Sequence, residues 1–260
     1  MPWIDIRELW AFRELAYAFA LRDVKLRYRQ TALGIAWVLL QPLGAAAIFA
    51  VVFGRVVDVP SDGLPYPLFV FAGLVLWTYV SNAVDAASRS LIEPAELITK
   101  VYFPRVHAPL AAVLPGLLDL GISLLLLGLV MAAYGVVPGV AIVLLPVWVG
   151  LATLVAFVMG LWLSALNVEF RDVRYALGYL LQVWLFASPV IYPSSLVDGW
   201  KAYIFAANPL VGVLDGFRWS VLGGPAPGSH GLVSLAVGVL LLLGGVVHFR
   251  RAERRFADVI

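Results

Sequence analysis

Two carboxylate pairs, Glu93/Glu96 and Glu169/Asp172, have the residue types and close spacing that general acid–base chemistry requires. Each is interleaved with basic residues, Lys100 and Arg105 beside the first pair and Arg171 and Arg174 beside the second. That is the pattern of a solvated or docking face, and no catalytic residue is assigned. A metal centre has no better basis. His107, His230 and His248 lie far apart, and the chain has no cysteine to supply a thiolate ligand, a nucleophile or a disulfide. No GxxxxGK[ST] phosphate loop is present, so the chain has no ATPase motif of its own. Asp119 sits inside a long apolar stretch beside Pro115 and Gly116, and no second charge falls at a similar depth. A hydrogen-bonded structural role is therefore expected for it before a proton or ion relay. Gln182, among Tyr175, Tyr179, Trp184 and Phe186, makes a polar and aromatic set able to line a cavity and stack on sugar rings. Ordinary core packing accounts for the same residues.

The elements that would carry these groups follow from composition. Of the 260 residues, 62% are hydrophobic and 13% charged, against about 45–50% and about 25% in soluble domains. So few charges cannot cover a water-soluble surface, and the chain is expected to be an integral membrane protein. Charged residues at Asp5, Arg7, Glu8, Arg13 and Glu14 exclude a cleavable secretory signal. Six apolar stretches approach the roughly 20 residues needed to cross a bilayer: 32–54, 66–84, 108–134, 140–166, 175–191 and 231–248. The predicted fold is an all-α, single-domain membrane bundle over 1–260. A cytoplasmic amphipathic helix occupies 1–31, the six-span bundle 32–248 and a cytoplasmic tail 249–260. Between the fifth and sixth spans, residues 192–230 mix Trp200, Tyr203, Phe205, Phe217 and Trp219 with charges, Asn208-Pro209 and a Gly/Pro-rich run. Pieces too short to cross and too aromatic for a plain loop read as interfacial or re-entrant helices at the outer face.

Charge orients this arrangement. With the N-terminal arm inside, the inner segments hold 15 of the 18 Lys and Arg residues, and the outer ones only Arg55, Lys201 and Arg218. Both termini are therefore expected in the cytoplasm. In residues 7–30, Leu9, Phe12, Ala16 and Phe19 share a helical face, and Arg22, Lys25, Arg27 and Arg29 form a basic collar suited to phosphate headgroups. A plain topogenic anchor is the alternative. Residues 89–109 predict a short amphipathic helix between Pro94 and Phe103-Pro104, combining Leu97, Ile98 and Val101 with Glu93, Glu96, Lys100 and Arg105. This is the form of a docking knob for a cytoplasmic partner. Arg171-Asp172-Val173-Arg174 echoes Arg22-Asp23-Val24-Lys25, a match too short to establish a repeat.

Taken in order, RDVKLRYRQTALGIAWVLLQP (22–42), LITKVYFPR (97–105), LNVEFRDVRY (166–175), SPVIYP (188–193), NPLVGVLDGFRW (208–219) and ERRFADVI (253–260) resemble the permease subunits of ABC transporter type 2 exporters. The resemblance covers essentially the whole chain and is greatest to the branch moving O-antigen, teichoic acid, capsule or cell-wall galactan. It implies two permease copies working with two cytoplasmic ATPase subunits, which bind the ATP and Mg; no cofactor is expected in this chain. It also implies that Glu93, Glu96, Leu97, Lys100, Phe103 and Arg105 belong to a coupling helix seated in the ATPase. A conduit between the copies would be lined by the first and fifth spans, with Trp37, Tyr179, Gln182, Trp184 and Phe186 as candidate glycan contacts. The expected function is export of a lipid-linked polysaccharide across the bacterial plasma membrane. Export of a small amphiphile such as a drug or glycolipid, or an integral-membrane enzyme acting on lipid-linked sugars, are the alternatives.

Overall fold

The computed structural model describes residues 13–29, 36–92, 104–170 and 172–259. Among them every regular element is helical. In chain order these are α1 (Arg13–Arg29), α2 (Ala36–Val51, continued by a π-helical turn Val52–Val56), α3 (Tyr66–Arg89), α4 (His107–Val113) and α5 (Gly116–Ala133). A 3-10 turn (Val140–Leu144) then leads into α6 (Leu145–Glu169), followed by α7 (Val173–Phe186), α8 (Trp200–Phe205), α9 (Leu210–Leu222) and α10 (His230–Val259).

Five segments are long and apolar enough to cross a membrane: Ala36–Val56, Tyr66–Arg89, His107–Ala133, Val140–Glu169 and His230–Glu253. They coincide with the first four and the sixth of the stretches read from the sequence. The remaining stretch, 175–191, folds differently. α7 is a helix of 14 residues that gives way to turns at 187–190, so it is only about 21 Å long at ~1.5 Å per residue. Ser188-Pro189, which closes this shorter stretch in the sequence, falls within that turn. The 192–230 segment contains the two short helices α8 and α9 expected of it.

α3 is the axis of the bundle, packed against α2, α4, α5, α6, α7 and α9. Its small residues allow this. A methyl group built on Gly160 of α6 would lie 2.5 Å from the Ala87 Cβ, so the two backbones approach closely there. Small-residue packing of this kind supplies much of the attraction between helices in lipid, where the hydrophobic effect is absent. Polar side chains then pin the pair: the Tyr79 hydroxyl donates to Thr153 Oγ1 at 2.8 Å, and Asn167 Nδ2 donates to the Ser88 carbonyl at 3.0 Å. α10 is held to α6 by Trp162, whose indole N–H donates to the Leu241 carbonyl at 3.0 Å and whose ring stacks on His248. Gly244 and Gly245 leave the room for that ring.

The bundle has a basic end, carrying Arg89, Arg105, Arg174, Arg250 and Arg251, and an acidic end, carrying Asp58, Asp62, Asp198 and Asp215. At the basic end a second apolar cluster joins Leu91, Val106, Phe249 and Ala252, with Phe19 of α1 packed on it. α1 lies against α4 and buries Ala16 and Ala20. The face containing Ala16 and Phe19 is therefore turned to protein, while Leu9 and Phe12 fall outside the described residues. The Arg-Asp-Val echo does not mark a repeat. Asp23 lies within α1 and pairs with Arg22 at 2.8 Å, whereas Asp172 immediately precedes α7.

Gly73 offers a direct test of the packing around α3. A methyl group there would strike the Arg218 guanidinium and come within 2.6 Å of the Val190 carbonyl oxygen. Gly73→Ala is expected to cost about 1–3 kcal/mol, the usual penalty for overpacking. The purified protein in detergent should show a correspondingly lower thermal midpoint.

Candidate functional site: an uncovered helical face and the cap above it

α7 presents two unlike faces. Tyr175, Tyr179, Gln182 and Phe186 are spaced four, three and four residues apart and therefore share one face. All four are exposed, Tyr175 at 84% and Tyr179 at 70%. α2 repeats the pattern: Trp37, Gln41, Gly44 and Ile48 follow the same spacing and are all exposed, with Pro42 and Ala46 buried behind them. Aromatic rings and amides on faces that the chain leaves uncovered are suited to stacking on, and hydrogen bonding to, a passing polyhydroxylated molecule.

Trp184 stands directly opposite this α7 face. Its indole N–H donates to Asn208 Oδ1 at 3.0 Å, and its ring meets Trp77 edge-on at 5.5 Å. Of the five residues proposed from sequence to line a path, four are exposed and Trp184 packs inward. Composition cannot separate the two groups; helical phase does.

Asn208 explains why α7 stops where it does. Its Nδ2 donates to the Ala187 carbonyl at 3.0 Å and to Ser188 Oγ at 2.8 Å, while its Oδ1 also accepts the Leu210 N–H at 3.0 Å. One amide thus satisfies an orphan carbonyl after α7 and an orphan N–H at the start of α9. Arg218, buried nearly three turns further along α9, completes the junction. Its Nη2 donates to the Val190 carbonyl at 2.6 Å and its Nε to the Phe69 carbonyl at 3.4 Å, and Nη1 reaches the Pro189 carbonyl. The guanidinium lies 3.8 Å from the Phe69 ring centroid. Burial pulls its pKa down to about 10, against the opposing charge of Asp215, so it stays protonated at neutral pH. Asp215 accepts from Ser194 Oγ at 2.7 Å and lies 3.6 Å from His230 Nε2, and burial pushes its carboxyl above the ordinary value. The Tyr66 hydroxyl, donating to the Ile191 carbonyl at 2.7 Å, ties α3 to the same turn. Gly212 and Gly216, four residues apart, let α9 press on Gly231 of α10 and Trp148 of α6.

At the basic end, Arg22 is ion-paired to Asp23 and lies 5.4 Å from the Phe19 ring centroid, and Lys25 is exposed. Nothing is described of the Arg27 and Arg29 side chains beyond their place in α1. Glu93, Glu96, Leu97, Lys100 and Phe103 lie outside the described residues. The chain entering and leaving that segment is anchored: Leu91 and Val106 are buried, and the Arg105 backbone N–H donates to Glu253 Oε1 at 3.3 Å. Among the described residues no group of three or more metal-ligating side chains forms.

These features define a multi-pass, all-helical membrane protein with a polar–aromatic face left uncovered beneath a hydrogen-bonded cap. The ABC-2 type transporter family matches residues 14–222. The O-antigen export system permease protein RfbA of Myxococcus xanthus is 31% identical over 260 residues, covering 98% of each chain. Two proteins of the same name from Klebsiella pneumoniae are each 25% identical, over 92% of both chains. The chain belongs to the ABC-2 type transporter family.

The two faces of α7 make separable predictions. Asn208→Ala removes a half-buried hydrogen-bonding hub and should cost about 1–3 kcal/mol, read as a lower thermal midpoint. Tyr179→Ala, on the exposed face, should change stability by no more than about 0.5 kcal/mol in the same assay.

Proposed function

We propose that this chain is the membrane-spanning subunit of an ATP-driven exporter that moves a lipid-linked polysaccharide out of the cytoplasm. The observation that carries this reading is the uncovered Tyr175/Tyr179/Gln182/Phe186 face, in a chain similar along almost its whole length to an O-antigen export permease. A lone helix face bearing an amide and phenols is poorly matched to lipid and well matched to sugars. Two copies facing each other through α2 and α7 would enclose a conduit with many weak contacts. Such contacts suit a polymer that must be held and released repeatedly.

In this reading the basic end is cytoplasmic and both termini lie there, in the bacterial plasma membrane. α7, with the turn that follows it, serves as the fifth of six crossings, and its shortness is made good by the α8–α9 cap. Residues 93–105 dock on a separate ATPase subunit, two copies of which bind the ATP and Mg. The chain itself is a transport subunit and performs no chemistry. Arg22, Lys25, Arg27 and Arg29 hold the phosphate of the lipid carrier. ATP-driven force on the docked segment reaches the bundle through the buried anchors Leu91 and Val106 and tilts α2 and α7 apart.

Depleting the chain in its host and locating lipid-linked glycans across the membrane tests the reading. Complete polymer should accumulate on the cytoplasmic face. A polymer that is never assembled would favour an enzyme acting on lipid-linked sugars, and unchanged glycans would favour export of a small amphiphile. Replacing Lys25, Arg27 and Arg29 together by Ala should lower export while the amount of protein in the membrane stays the same. Normal export by that variant would sink the phosphate collar.

A further inference from the structure

A cavity of about 360 Å³ opens between α2, α3 and α5 in the half of the bundle nearer the basic end. Its α3 wall carries a polar stripe on the bundle's central helix. Thr78, Asn82, Asp85 and Arg89 recur at four, three and four residues and so share one face. From Thr78 to Arg89 the stripe runs about 16 Å at ~1.5 Å per residue. Asp85 and Arg89, one turn apart, form an ion pair. Trp37 and Gln41 contribute from α2, and Asp119 and Ser123 from α5. From sequence alone Asp119 has no charged neighbour at its depth, because the apolar run of the second span ends at Val84. α3 continues to Arg89, and that extension brings Asp85 and Arg89 into the cavity that Asp119 lines.

Charged and amide side chains are costly inside a membrane-spanning bundle, and they generally mark the path of a substrate. The lining selects among possible occupants. Among the described residues the lining carries the carboxylates of Asp85 and Asp119 as well as the Arg89 guanidinium, and the carboxylates disfavour a phosphate. The guanidinium, in turn, disfavours a metal cation. An uncharged polyol suits both, since its hydroxyls donate to Asp85 and Asp119, accept from Arg89, and do either with Asn82 and Gln41. The exposed indole of Trp37 adds a flat apolar face on which the C–H side of a sugar ring can stack.

We propose that this cavity is a recognition site for uncharged sugar residues of the transported glycan. It rests on the polysaccharide-export reading and adds to it a place of selection. The α7 face offers stacking and one amide to any sugar, whereas the cavity presents a fixed pattern of donors and acceptors that fits some hydroxyl configurations and rejects others. Trp37 and Gln41 belong both to the exposed face of α2 and to the cavity lining, so the site opens from the path itself.

Photo-crosslinking in the host, with the full-length chain and its own glycan as the probe, separates this site from the export reading. A photoreactive amino acid is placed in turn at Asn82, which lines the cavity from α3 and is not on the α2 or α7 path faces, at Tyr179, and at Leu125, which is exposed on the opposite side of α5. After irradiation the purified chain is stained for covalently attached carbohydrate. Adducts at Asn82 and Tyr179 and none at Leu125 are expected. An adduct at Tyr179 without one at Asn82 overturns the cavity and leaves the export reading standing. Adducts at neither position overturn both, and equal labelling at Leu125 removes the case for a defined site. Asn82→Leu and Asp119→Asn should each lower export at least tenfold at unchanged membrane abundance. Unchanged export, or a loss that only tracks the amount of protein, assigns these side chains to folding and overturns the proposal.

Discussion

Arg218 is buried with its guanidinium on the carbonyls of Phe69, Pro189 and Val190, three oxygens drawn from two separate stretches of chain. A buried charge is tolerated only when hydrogen bonds replace the water it has lost. Here those bonds are also what stops α7, since the turn after Phe186 would otherwise leave its carbonyls without donors. Gly73 makes the arrangement sterically possible by leaving room for the guanidinium and the Val190 carbonyl it meets. Asn208 performs the complementary task on the other side of the same turn. The cap at the acidic end is therefore built on backbone carbonyls that a continuous helix would have consumed within itself.

The two ends of the bundle are held by different sets of contacts. The acidic end is cross-linked by side chains: Tyr66 to Ile191, Ser194 to Asp215, and Ser234 to the carbonyls of Ala206 and Asn208. The basic end combines an apolar cluster, with Leu91, Val106 and Phe249 buried together against α1, with polar links of its own: Asn167 to the Ser88 carbonyl, the Arg105 N–H to Glu253, and Arg250 to Glu253. In the exporter reading, force applied at the basic end reaches helices whose far ends the cap ties together.

Much of this architecture was legible in the sequence. Four of the six apolar stretches before and one after the short-helix region read correctly because bilayer thickness imposes a length that composition reveals; α7 was the exception. Its end is marked in the sequence by Ser188-Pro189, but the groups that satisfy the turn there, Asn208 and Arg218, lie about 20 and 30 residues further on. The SPVIYP and NPLVGVLDGFRW motifs were recognisable as motifs, yet their meaning is tertiary: the first supplies the carbonyls and the second the donors. Likewise, the Thr78/Asn82/Asp85/Arg89 stripe has a plain helical period, but hydropathy cut the span at Val84 and so separated its charged half from its amide half. Trp184 and Tyr179 looked alike in composition. Their opposite orientations come from the phase of α7, which a residue list does not carry.

The exposed face of α7 bears on the life of the chain before assembly. A newly inserted copy presents the Gln182 amide and the Tyr175 and Tyr179 phenols with no protein over them. Lipid tails cannot hydrogen-bond these groups, so the unassembled chain is poorly solvated along one full side of a helix. That makes it a natural substrate for membrane quality control. Its lifetime would then depend on how soon a complementary surface arrives, and synthesis in excess of its partners would be self-limiting.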